Sequence, residues 1–84
     1  MQEQEIGKIT HYYGNISVGI IELSDVLKVG DNIHIKGHTS DFTQSIDSMQ
    51  IEHNNVTEAK VGDLVGIRVA QKVHPHDKVY RVVT

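Results

Sequence analysis

Apolar and polar residues alternate along most of this chain with the period of two that a half-buried strand requires, and the spacing of a helix face does not appear. Ile6-Gly7-Lys8-Ile9-Thr10-His11-Tyr12 predicts a first strand, with Tyr13-Gly14-Asn15 as its turn. A second strand, Ile16-Ser17-Val18-Gly19-Ile20-Ile21-Glu22-Leu23, is read with Ile16, Val18 and Ile20 on one face and Gly19 at a bulge or close backbone approach. Ile33 and Ile35 then alternate with Asn32, His34 and Lys36, so His34 is expected to face away from the core. A polar stretch, 37–41, leads into 42–51, where Phe42 and Ile46 share one parity and Met49 and Ile51 the other. One extra residue between Ile46 and Met49, as a bulge or bend, would return all four to a common face. Leu64 to Val69 and Lys78 to Val83 supply the last two strands, and the sole proline, Pro75, lies between them.

Six strands at spacings of about ten residues predict an all-β domain closed into a small six-stranded barrel, because closure removes exposed edges. Residues 1–5, Met1-Gln2-Glu3-Gln4-Glu5, read as a flexible tail ahead of a single domain at 6–84. Composition supports strands: ten Ile and eleven Val stand against three Leu and two Ala. Side chains branched at Cβ lose rotamer freedom in a helix and suit a pleated surface. The absence of cysteine removes disulfides, thiolate metal sites and a thiol nucleophile. A net charge of −3 supplies no global positive field, so any nucleic-acid contact must be local. No apolar run approaches the roughly eighteen residues of a membrane span, no membrane partner is expected, and the acidic N-terminus points to the cytoplasm.

Little catalytic chemistry stands out. The phosphate-binding pattern Gly-x-x-x-x-Gly-Lys-Ser/Thr is absent, which excludes nucleotide hydrolysis of that type. No Gly-x-Ser-x-Gly elbow occurs. Six histidines raise the question of a metal, with His74 and His76 flanking Pro75 and His34, His38 and His53 elsewhere. A proline-containing loop does not bring paired rings to one face as a strand does, and no metal, cofactor or catalytic residue is assigned.

One internal echo carries structure. Lys28-Val29-Gly30-Asp31-Asn32-Ile33-His34-Ile35 and Lys60-Val61-Gly62-Asp63-Leu64-Val65-Gly66-Ile67 agree at five of eight positions. Each predicts a tight turn in which glycine takes a positive φ and the aspartate bonds back to nearby amides, fixing the register of the next strand.

Together with Val56-Thr57-Glu58-Ala59, these two entries resemble the second domain of the translational GTPases such as elongation factor Tu, which implies a Greek-key barrel over nearly the whole chain. The run Lys36 to Gln44 with Ser48 to His53 is similar to small stand-alone translation elongation factor-like proteins. A similar barrel occurs at the C-terminus of collagenase-like peptidases, as an accessory domain. The translation-factor resemblance implies a module without enzymatic activity that binds RNA, a tRNA end, or a translation or RNA-modification protein. Lys36, His38, Thr39, Phe42, Gln44 and His53 are then the candidate RNA or partner contacts. Lys36 and the histidines would meet phosphate, Phe42 or Tyr12 would stack a base, and Thr39 and Gln44 would read base edges; the other reading of this segment is a solvated hairpin with Phe42 in the core. The alternative is a protein-interaction or accessory barrel that binds no RNA.

Overall fold

The computed structural model describes residues 2–83. Over that span the chain is all-β: β1 (Gln2–Tyr13), β2 (Val18–Leu23), β3 (Leu27–Lys28), β4 (Asn32–Lys36), β5 (Asp41–Ser45), β6 (Met49–Ile51), β7 (Asn54–Val56), β8 (Glu58–Ala59), β9 (Leu64–Arg68) and β10 (Lys78–Val83). Eight strands form one sheet in the order β5-β4-β10-β1-β2-β9-β6-β7, and β3 pairs with β8 as a separate ribbon.

Strand alternation builds the interior. Ile33 and Ile35 of β4, Val65 of β9 and Val79 of β10 are fully buried, and with Ile6, Ile9, Ile21 and Val73 they make a core of side chains branched at Cβ. Phe42 from one end of the sheet and Met49 from the other belong to this same cluster, so the sheet curls around one core.

Both Gly-Asp turns form as expected. Gly30 and Gly62 take φ values of 98° and 90°, a region glycine enters without a Cβ penalty. Asp31 Oδ2 accepts a hydrogen bond from the Lys28 amide at 3.0 Å, and Asp63 Oδ2 from the Lys60 amide at 2.8 Å.

Two expectations are corrected. The tail expected at 1–5 is, over its described residues, part of β1: Gln2 to Glu5 pair with Val83 to Tyr80. Their side chains are exposed, and a neighbouring strand supplies the backbone partners that polar side chains do not preclude. The segment 42–51 is two strands and not one bulged strand, because β5 pairs with β4 at one end of the sheet while β6 pairs with β7 and β9 towards the other. Phe42, Ile46 and Met49 are nonetheless all buried, so the parity slip marks a crossing. In β2 Val18 and Ile20 share a face as expected; that face is outward and half-buried, and Ile21 and Leu23 enter the core.

β5 and β7 lie at opposite ends of the sheet order, and no ladder joins them among the described residues, so the sheet is not closed into a barrel by backbone pairing. Two other links cross the gap. Residues 46–48 carry the chain from β5 to β6. The carboxamide of Gln44 donates to the carbonyl of Arg68 at 2.8 Å and accepts from the amide of Ala70 at 2.8 Å. A side chain thereby offers the donor and acceptor that an adjacent strand residue would present.

Candidate functional site

The six residues singled out in the sequence do not converge. Lys36, His38 and Thr39 are exposed in and beside the β4–β5 hairpin. Phe42 lies opposite Ile35 in the ladder and is 8% exposed, so its ring packs in the core and is not free to stack on a ligand. Gln44 is held by Arg68 and Ala70 across the sheet gap. His53 sits in the β6–β7 turn, where Glu52 and His53 have φ values of 52° and 66°.

The β4–β5 hairpin packs against the loop before β10. Ser40 Oγ donates to the Lys72 carbonyl at 3.3 Å, and Thr39 Oγ1 lies 3.3 Å from His74 Nδ1. Asp77 Oδ2 is 4.0 Å from that same nitrogen. A hydroxyl–imidazole–carboxylate relay needs its hydroxyl and its carboxylate on opposite ring nitrogens, so these three side chains are not arranged as one. Asp77 instead accepts from the His74 amide at 2.9 Å, and its buried carboxylate packs against Gly37. No group of three or more His, Asp or Glu that could hold a metal ion is found among the described residues.

Two regions of the outer sheet surface have distinct chemistry. Across β5, β4, β10 and the first half of β1 it is charged. His34 points outward, as expected, with Nδ1 2.7 Å from Glu3 and Nε2 2.5 Å from Asp41. Only the imidazolium carries a hydrogen on both nitrogens, so two carboxylates favour the protonated ring. The Asp41 hydrogen bond is the main cause that raises the pKa of His34; burial opposes it and Glu3 adds to it. The reciprocal bond lowers that of Asp41. Lys78 meets Glu5 at 3.4 Å alongside.

The second region covers the end of β1, β2, β9 and β6. Tyr13, Ile16 and Leu64 are 49%, 58% and 54% exposed, and Val18 and Ile20 stand between them. Together they border a groove of about 760 Å³ whose lining also includes Gln50, Gly66, Glu52, His53 and Asp63. The signal for this face was present in the sequence, since positions 16–23 are apolar on both parities, but alternation alone does not say which parity is inside.

No family model matches the chain. An uncharacterized protease of Methanocaldococcus jannaschii is 42% identical over 77 residues, which are 90% of this chain and 19% of that protein. A collagenase of Porphyromonas gingivalis is 34% identical over 82 residues, 95% of this chain and 23% of that protein. The chain thus spans about a fifth of the length of the curated relatives it matches. Among solved structures, the C-terminal domain of a Geobacillus thermoleovorans protein designated a U32 peptidase superposes with a TM-score of 0.89 at 18% identity, covering 95% of this chain and 93% of that one. A selenomethionine variant of the same domain gives a TM-score of 0.86 at 19% identity, covering 90% and 96%.

These likenesses overturn the translation-factor resemblance and, with it, the expected RNA or translation-related role. They equally correct the expectation of no enzyme, because the relatives are named protease and collagenase. The physical reason for the misreading lies in the Gly-Asp turns. A glycine at positive φ followed by an aspartate that holds an amide solves the geometry of entering a strand, so it is not specific to one family.

Proposed function

We propose that this chain is the β-module of a U32-type peptidase and serves, beside a larger peptidase body, in the hydrolysis of polypeptides. The observation that carries this reading is the 42% identity, over 90% of the chain, to a segment that makes up 19% of a protease. The two collagenases, each 34% identical, extend it and suggest collagen-derived chains as substrate. The structural likeness at 18% identity supports the architecture only.

The module also behaves as a closed barrel in this reading. Support comes from the Gln44 carboxamide and the 46–48 crossing, which together tie β5 to the β9 side of the sheet.

A segment exchange tests the functional reading. In the full-length collagenase relative, the matched segment is replaced either by this chain or by an unrelated β-domain of similar size, and gelatin hydrolysis is measured. The exchange with this chain is expected to retain hydrolysis well above that of the unrelated insert. Equal activities of the two hybrids would overturn the proposal.

A further inference from the structure

We propose that the outer face formed by the end of β1, β2 and β9 is the surface by which this module docks onto the peptidase body, a step that rests on the reading above. The first support is the sequence of β2. Ile21 and Leu23 fill the core from one face, yet Val18 and Ile20 make the opposite face apolar as well, up to Glu22, which pairs with Lys8 at 3.8 Å. A strand that is apolar on both faces is the pattern of a sheet covered on both sides, whereas a sheet with one wet face alternates apolar with polar. Among the described residues, the core side is covered and the outer side is not.

Shape adds a second support. Gly66 of β9 lies opposite Ile20 in the ladder, and a Cβ built on it would stand 3.4 Å from Ile20 and 3.5 Å from Val18. The missing side chain leaves a low floor between Ile20 and Gln50, with Tyr13, Ile16 and Leu64 rising around it. A protruding apolar segment of another folded body fits such a groove. Glu52 and Asp63 contribute carboxylates to the lining, so the matching segment carries lysine or arginine beside its apolar residues.

The third support concerns what covers it. In the relatives, about four fifths of the polypeptide lies outside the matched segment, so a module of this kind sits within reach of a much larger body. The charged region around His34 is a poor alternative for that contact, because its side chains already satisfy one another. An exposed apolar area rimmed by polar groups is the expected form of an interaction surface.

The chain has no cysteine, so single thiols report on it cleanly. Leu64→Cys marks the proposed face and Thr43→Cys the charged one. Each is placed in the free chain and in the full-length collagenase hybrid described above. Maleimide labelling is followed at the resulting peptide by mass spectrometry, and gelatin hydrolysis is assayed on the same hybrids. Labelling at Leu64→Cys is expected to slow at least tenfold in the hybrid, with Thr43→Cys unchanged. Equal rates at Leu64→Cys in an active hybrid would overturn the docking surface and leave the peptidase reading standing. Slow labelling in an inactive hybrid would support docking and count against that reading. Protection already present in the free chain, and rising with its concentration, would assign the face to a second copy and overturn the proposal. Ile16→Cys repeats the measurement should Leu64→Cys fail to fold.

Discussion

The outer surface around His34 and the one around Ile20 belong to the same curled sheet and cover the same core, yet they solve exposure differently. Around His34 the side chains are paired among themselves, with Glu3, Asp41, Glu5 and Lys78 joined in short polar contacts. Around Ile20 the most exposed large side chains, Tyr13, Ile16 and Leu64, are apolar, with Glu52, His53 and Asp63 beside them, and among the described residues the groove they border is open. Core packing does not require this second arrangement, since Ile21 and Leu23 already supply the inward contacts of β2. An outward feature that folding does not need points to association.

The contrast between neighbouring residues of β2 gives the largest expected effect. Ile21→Ala removes a fully buried side chain and should cost about 2–5 kcal/mol in urea unfolding. Ile20→Ala, half-buried on the outer face, should cost under about 1.5 kcal/mol. Similar losses at both positions would break the distinction between an inner and an outer apolar face. Gln44→Leu comes next: losing the two bonds to Arg68 and Ala70 should destabilise by about 1–2 kcal/mol and speed amide exchange at Ala70. Unchanged exchange there would show that the carboxamide does not hold the gap. At the groove lining, His53→Gly relieves a positive φ of 66° and should raise stability by about 1 kcal/mol.

The charged region has a pH signature of smaller size. His34 titrates above its ordinary value of 6.5 in the folded chain, so its contribution is complete below 6.5 and is lost as pH rises through the raised value. Asp41 titrates below its ordinary 3.8, so its contribution is complete above 3.8 and is lost as pH falls through the lowered value. The difference in melting temperature between the parent chain and His34→Asn should therefore be greatest at mildly acidic pH and shrink on both sides. A difference that stays constant into alkaline solution would remove the paired imidazolium from the account. Smallest of all, Leu64→Lys should leave the stability of the free chain within about 0.5 kcal/mol, because that side chain is 54% exposed. Its effect should instead appear as weaker binding of an apolar dye.

Strand content, both Gly-Asp turns and the outward direction of His34 were legible in the sequence, because each depends on local periodicity or on φ. The separation of β5 from β6 was not, since a parity slip between Ile46 and Met49 looks the same for a bulge as for a crossing to the far side of the sheet. The pairing of Gln2 to Glu5 was hidden for a related reason: it is set by β10, the most distant strand in the chain. Of the two readings of Phe42, its parity with Ile46 favours the core one, and the ring lies there. Gln44 was noticed as a reader of polar edges, and the edges it meets are those of its own backbone.

The pairing of Gln2 with Val83 brings the two ends of the described chain side by side at the middle of the sheet. Polypeptide can therefore enter and leave this unit at one place. Such a unit can be spliced into a surface loop of a host as readily as joined to its terminus, and joining the present ends while opening another turn should give a circular permutant of the same architecture.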